Sequence, residues 1–201
     1  KYVRVPVEAD VEYRFIKAIY LAWQATGDDE WLAEMLPSAE KAINYIFTHP
    51  WRWSKEHKLV KRAFTIDTWD FDFVDRNQSW LNFQISDKTH WGIMHGDNSG
   101  YFESCILLSK IYRHLNNNER AVYWMKIAEG IRERTNKLCW NGKFYTHRIP
   151  LDGFRMPGVN EDDQLSLSNP MDINRGLPTH DMAVKILQEY RRRKETTKAF
   201  A

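Results

Sequence analysis

No run of apolar residues in this chain approaches the roughly 20 that a bilayer-spanning helix requires, so no transmembrane segment is expected. Strong charge of one sign is also missing. The 29 basic and 27 acidic residues are interspersed and leave a formal charge of +2, which gives no stripe for a nucleic-acid backbone. The one basic run, Arg191-Arg192-Arg193-Lys194, falls at the end of an expected helix, where it suits the helix dipole as a solvated end. Cysteine is scarce: Cys105 and Cys139 stand far apart in apolar helical or post-helical surroundings, which favours two buried free thiols over a disulfide. The seven histidines have no zinc spacing, and the acidic loop near residue 161 lacks the spacing of an EF-hand, so no metal is expected. There is no Gly-x-Ser-x-Gly, no dinucleotide fingerprint and no phosphate loop, and no cofactor is expected. The chain opens without Met or a signal peptide, on Lys1-Tyr2-Val3-Arg4-Val5-Pro6, and reads as a segment of a longer protein.

What is present is a helical period. In the first segment Val11, Phe15, Ala18, Ile19, Ala22 and Trp23 share one face, and Gly27 is a natural terminator. Asp28 or Asp29 can cap the next helix, whose face carries Trp31, Leu32, Met35, Leu36, Ala39, Ile43 and Ile46. Pro37 predicts a kink or a broken first turn, and His49-Pro50 the end. A second pair follows, with Phe102, Cys105, Leu108 and Tyr112 on one helix and Ala121, Trp124, Met125, Ala128 and Ile131 on its return. Asn116-Asn117-Asn118 makes the turn between them. A fifth helix is expected at about 179–193. Helices of about 20 residues exceed those of thin solenoids and favour a closed ring of hairpins. The expected fold is therefore all-α: residues 1–201 form a single helical domain, a partial α/α toroid belonging to a larger (α/α)6 barrel. Two long segments, about 51–97 and 139–178, interrupt it. Short strands are expected at 59–66 and 143–148.

The first long segment concentrates aromatic and acidic side chains. Flat rings beside carboxylates suit a sugar, whose apolar face stacks while its hydroxyls take hydrogen bonds at the edge. A packed satellite core under the loops is the plainer account of any single ring; the clustering carries the argument. The sharpest string is Thr65-Ile66-Asp67-Thr68-Trp69-Asp70-Phe71-Asp72-Phe73. In an extended conformation Asp70 and Asp72 share a side and Asp67 faces away. Glycoside hydrolysis needs one carboxylic acid to protonate the leaving oxygen and a second carboxylate. An acid beside Trp and Phe has its pKa raised by desolvation, as a general acid requires.

Trp69-Asp70-Phe71 after an extended lead-in resembles the general-acid region of six-hairpin glycosidases such as trehalases and processing α-glucosidases. Ala25-Thr26-Gly27-Asp28-Asp29-Glu30-Trp31-Leu32, followed by Leu36-Pro37, is similar to the helix joint of these enzymes and of glycogen-debranching relatives. The resemblance implies an inverting hydrolase of an α-linked glucoside, with Asp70 as the general acid and Asp67 as its catalytic neighbour. Trp69, Phe71, Asp72, Trp91, His95, Asp97, Asn98 and Glu161 are the expected carbohydrate-binding residues. Asp97, Asn98 and Ser99 are equally good helix caps. The family uses a toroid about twice this length, with its base near a late hairpin, so the second carboxylate is expected beyond Ala201; Glu161, Asp162, Asp163 and Asp97 are weaker substitutes. Two other classes fit the same residues. One is a non-catalytic scaffold binding a glycan or protein; the other is a lyase or isomerase relying on His95 and Tyr101 as proton-transfer groups. An open arc of hairpins also predicts a homo-oligomer through uncovered helix faces.

Overall fold

The computed structural model describes residues 10–63, 87, 89–155 and 157–197. Over these the chain is all-α in class, with a few short strands. The first hairpin is α1 (Val11–Thr26) and α2 (Asp29–Thr48). Gly27, in the left-handed region at φ 69°, ends α1. Asp28 then caps α2, its carboxylate accepting the Trp31 N–H at 2.9 Å. Pro37 lies inside α2, and the helix continues through it; the missing N–H removes one bond, to the Ala33 carbonyl, without ending the element. The second hairpin is α3 (His95–His114) and α4 (Asn118–Cys139). Asn116 takes the left-handed turn at φ 59°, and the Asn117 side chain accepts the Arg120 N–H. Helix α3 begins earlier than its polar residues suggest. Met94 is the capping position, so Asp97, Asn98 and Ser99 lie within the helix instead of capping it.

The hairpins lie side by side. Contacts step up α1 and α3 together, from Tyr13 with Tyr101 at 5.9 Å between ring centroids to Trp23 with His114 at 4.7 Å, so the two helices run in the same direction. Between them the buried Ile16, Ile19, Phe102 and Cys105 belong to one continuous core with Leu32, Ile43, Leu108 and Trp124. On the far side Glu40 of α2 accepts hydrogen bonds from Tyr112 at 2.6 Å, Trp124 at 3.2 Å and Arg120. Burial opposes ionisation of Glu40, but these donors more than offset it, and the carboxyl stays below its ordinary range. Both cysteines are buried and free, as the sequence favours.

Of the strand expected at 59–66, residues 59–63 form two short pieces and residues 64–66 lie outside the described residues. β1 (Trp53–Ser54) pairs antiparallel with β2 (Leu59–Val60). β3 (Arg62–Ala63) joins β4 (Trp91–Met94) and β5 (Arg148–Pro150) in a three-stranded antiparallel sheet of order β3-β4-β5. The strand expected at 143–148 instead begins at Arg148, and Tyr145 forms only a bridge to Trp140. Because β4 runs straight into α3, the sheet fixes where the first turn of that helix lies. The segment read as a polar loop holds a short 3-10 turn, Glu161–Asp163, and an unexpected helix, α5 (Ser168–Arg175), ended by Gly176. Its polar composition hides it, since only Met171 and Ile173 mark an apolar side. The last helix, α6 (His180–Thr197), is longer than expected. No helix among the described residues is long and apolar enough to cross a membrane.

Candidate functional site at the start of α3

Two glycines let other helices close on the first turn of α3. A Cβ on Gly100 would lie 2.7 Å from the Tyr13 ring of α1, and one on Gly96 would lie 2.7 Å from the Ser168 hydroxyl of α5. Three elements therefore converge where β4 ends. They leave a cleft of about 130 Å³, lined among others by Tyr13, Arg62, Asp97, His147, Ser168 and Arg175.

The charges in this cleft compensate one another. Arg62 Nη1 lies 3.8 Å from Asp97 Oδ1. Arg175 donates to the Gly96 carbonyl and the Ser99 hydroxyl, each at 2.8 Å, and its Nε is 3.5 Å from Glu103. Its guanidinium also sits 5.1 Å from the centre of the Tyr13 ring. At the rim, Arg14 pairs with Asp10 at 2.5 Å. Burial, and next the negative charge of Asp97, push the Tyr13 phenol up to about 12, so it remains a hydroxyl at neutral pH. The result is a small concavity lined by carboxylate, imidazole, hydroxyl and guanidinium groups, with the Tyr13 ring at its wall only 6% exposed, packed against Gly100 and Arg175.

Beneath the cleft lies a closed polar chain. His95 Nδ1 hydrogen-bonds Asp172 of α5, and Nε2 is 3.2 Å from the Ser166 hydroxyl. An imidazole protonated on Nδ1 satisfies both partners. The ring stacks on Tyr145 at 5.3 Å. The order Asp, His, Ser matches that of acyl-transfer relays, but His95 and Asp172 are 0% exposed and neither lines the cleft. The arrangement holds α5 and the loop before it against the first residue of α3.

The expected binding residues divide accordingly. Asp97 lines the cleft and His95 lies just beneath it. Asn98 is fully buried and committed to the backbone: it accepts the Val60 N–H at 2.8 Å and donates to the Val60 and Met94 carbonyls at 3.0 Å, tying β2 to α3. Glu161 is 5% exposed and takes two 3.0 Å hydrogen bonds from Arg148. Trp91 is partly exposed on β4, with Lys61 Nζ 4.9 Å over its ring. Asp67, Trp69, Asp70, Phe71 and Asp72 lie outside the described residues. Tyr13, Arg62 and His147 were not singled out from sequence, since each stands inside a helical or strand pattern that explains it without a site.

No protein-family profile matches the chain, and a search of curated proteins found no match.

Proposed function

We propose that this chain forms one wall of a carbohydrate site in an α/α toroid, as part of a glycoside hydrolase acting on an α-linked glucoside with inversion. The cleft at the start of α3 carries the reading. Asp97, His147 and Arg175, beside the buried Tyr13 ring, set donors and acceptors around one concavity, as the hydroxyls of a sugar edge need. Its compensated charges favour a neutral ligand over an anionic one. Its volume is small beside the roughly 300–1,000 Å³ of pockets that enclose whole ligands, so it takes one sugar edge. The parallel packing of two hairpins, with α1 and α3 on one side and α2 and α4 on the other, supports the toroid.

Catalysis rests on the resemblance of the Trp69-Asp70-Phe71 string. On that resemblance Asp70 is the general acid and Asp67 its catalytic neighbour, with Trp69, Phe71 and Asp72 as sugar-binding residues. The lyase reading loses ground at Tyr101. That phenol is fully buried, and burial holds it well above its ordinary range, which makes it a poor base. Self-association belongs to the same proposal, through exposed Leu21 of α1 and Leu187 of α6. Sedimentation velocity is expected to give a dimer, and a monomer at every micromolar concentration contradicts it.

Calorimetric titration with maltotriose tests the site. The expected dissociation constant is on the order of 1 mM, weakened at least about tenfold by Asp97→Ala, a loss of about 1.4 kcal/mol. Asp70→Asn is expected to keep binding and to remove turnover of the α-linked glucoside. Equal binding by the Asp97→Ala variant overturns the assignment.

A further inference from the structure

The opposite face of the hairpin pair carries a second and larger cavity. Glu40, past the middle of α2, bridges to Arg120 and Trp124 near the start of α4, and beyond this bridge lies a groove that also takes in residues of the β1–β2 turn. The open groove there has a volume of about 720 Å³. Phe47 and Trp53, in edge contact at 4.9 Å, and Ile127 supply its apolar surface, while Tyr123 stands 45% exposed at its edge. The other lining groups are Lys55, Lys58, Lys126 and Arg134, with Asn44 and Gly130.

None of the ten lining residues is acidic. This is the reverse of the cleft at α3, where each cation faces a carboxylate. Four like charges around one concavity repel one another and raise the local concentration of anions. Arg134 is also built into the groove. Its Nε donates to the Lys58 carbonyl at 3.0 Å, from a turn in which Lys58 takes a left-handed φ of 49°. The guanidinium folds back over Gly130, where a Cβ would lie 2.8 Å from Nη1. Any other residue at 130 would displace it. With Nε occupied, the two terminal nitrogens remain as a fork for a planar or tetrahedral anion. Partial burial lowers the pKa of this guanidinium, Glu133 beside it offsets part of that cost, and a bound anion would offset more.

We propose that the groove between α2 and α4 binds a phosphate-bearing ligand with a flat ring, of nucleoside-diphosphate size, separately from the sugar cleft. The ring lies against Tyr123 and Trp53, and the phosphates lie among Lys58, Lys126 and Arg134. The volume falls within the roughly 300–1,000 Å³ of sites for ligands of that size. Lys55 at the turn adds long-range attraction and makes affinity fall with ionic strength.

Calorimetry with adenosine diphosphate, pyrophosphate and adenosine as separate probes tests this. Adenosine diphosphate is expected to saturate one site with a dissociation constant at or below about 1 mM. Pyrophosphate and adenosine are each expected to bind at least about tenfold more weakly, since each lacks one half of the recognition. Arg134→Gln and Lys126→Glu are each expected to weaken adenosine diphosphate at least about fivefold; Lys126 is exposed, so its variant is also expected to keep the thermal midpoint, whereas Arg134 is half-buried and its variant gives up the bond to the Lys58 carbonyl. Gly130→Ala, which moves the guanidinium without removing it, is expected to weaken it as well. The proposal is overturned by adenosine diphosphate failing to saturate below about 10 mM, by pyrophosphate binding equally well, or by equal affinity in the Arg134 and Lys126 variants. Maltotriose binding in those variants is expected to be unchanged, which separates this site from the first.

Discussion

His95 and Asp172, 77 residues apart in sequence, hydrogen-bond side chain to side chain in a space that excludes water from both. The contact joins the first residue of α3 to α5, and so sets the floor of the cleft that Asp97, Tyr13 and Arg175 line. Asp172 Oδ2 is committed to His95, while Oδ1 is buried without a hydrogen-bond partner among the described residues. Removing the imidazole therefore leaves a buried carboxyl with nothing to bind. His95→Ala is expected to destabilise the fold by about 3–5 kcal/mol, the usual cost of breaking a buried pair from one side. Urea denaturation reads this directly, and a loss below about 1 kcal/mol would show that the site relaxes or admits water.

Arg148 and Glu161 make the second buried pair. Arg148 is fully buried, holds Glu161 through Nε and Nη2, and donates to the Phe154 carbonyl at 2.7 Å. The planar fork meets both carboxylate oxygens at once, a geometry that an ammonium cannot reproduce. Arg148→Lys is expected to lose most of what Arg148→Met loses, about 3–5 kcal/mol. Chemical denaturation of the two variants side by side checks this. Full stability in the lysine variant would mean that charge, rather than shape, is what matters.

Glu189 predicts a pH dependence. Arg192 bonds it at 2.7 and 2.9 Å and Arg193 at 2.9 Å. The hydrogen bonds from Arg192 lead in lowering its pKa from 4.5 to about 2; burial opposes them, and Arg193 adds to the lowering. A carboxyl depressed in the folded state contributes stability that is complete above its unfolded pKa and lost as pH falls through the folded value. The stability gap between the wild type and Glu189→Gln is expected to hold steady above pH 4.5 and to close as pH falls to about 2. Urea midpoints measured across that interval give the comparison, and a gap that does not change with pH would show that ionised Glu189 does not stabilise the fold.

The helices were legible because their signals are local. Gly27 with Asp28, and Asn116 with Asn117, mark both hairpin turns, and the apolar faces of α1 to α4 repeat at threes and fours. Helix α5 was hidden because it has eight residues and few apolar ones, so its place is set by Asp172 and Asn169, which are buried against α3 and Tyr145. The start of α3 was misplaced for a related reason: Asp97, Asn98 and Ser99 look like caps, yet the sheet delivers the chain into the helix at His95. The cleft itself could be read only in part. Asp97 and Arg175 belong to conspicuous polar strings, whereas Tyr13, Arg62 and His147 are drawn together by the convergence of α1, β3 and the 140s loop, which no local pattern encodes.

Amide chemical-shift mapping during titration with maltotriose asks whether the cleft at the start of α3 receives a sugar, as proposed. Saturable shifts are expected at Gly96, Asp97, His147 and Arg175, lost in Asp97→Ala, while Lys58, Lys126 and Gly130 across the molecule stay still. Shifts that are absent at saturating sugar, or that persist unchanged in the Asp97→Ala variant, would rule the sugar site out.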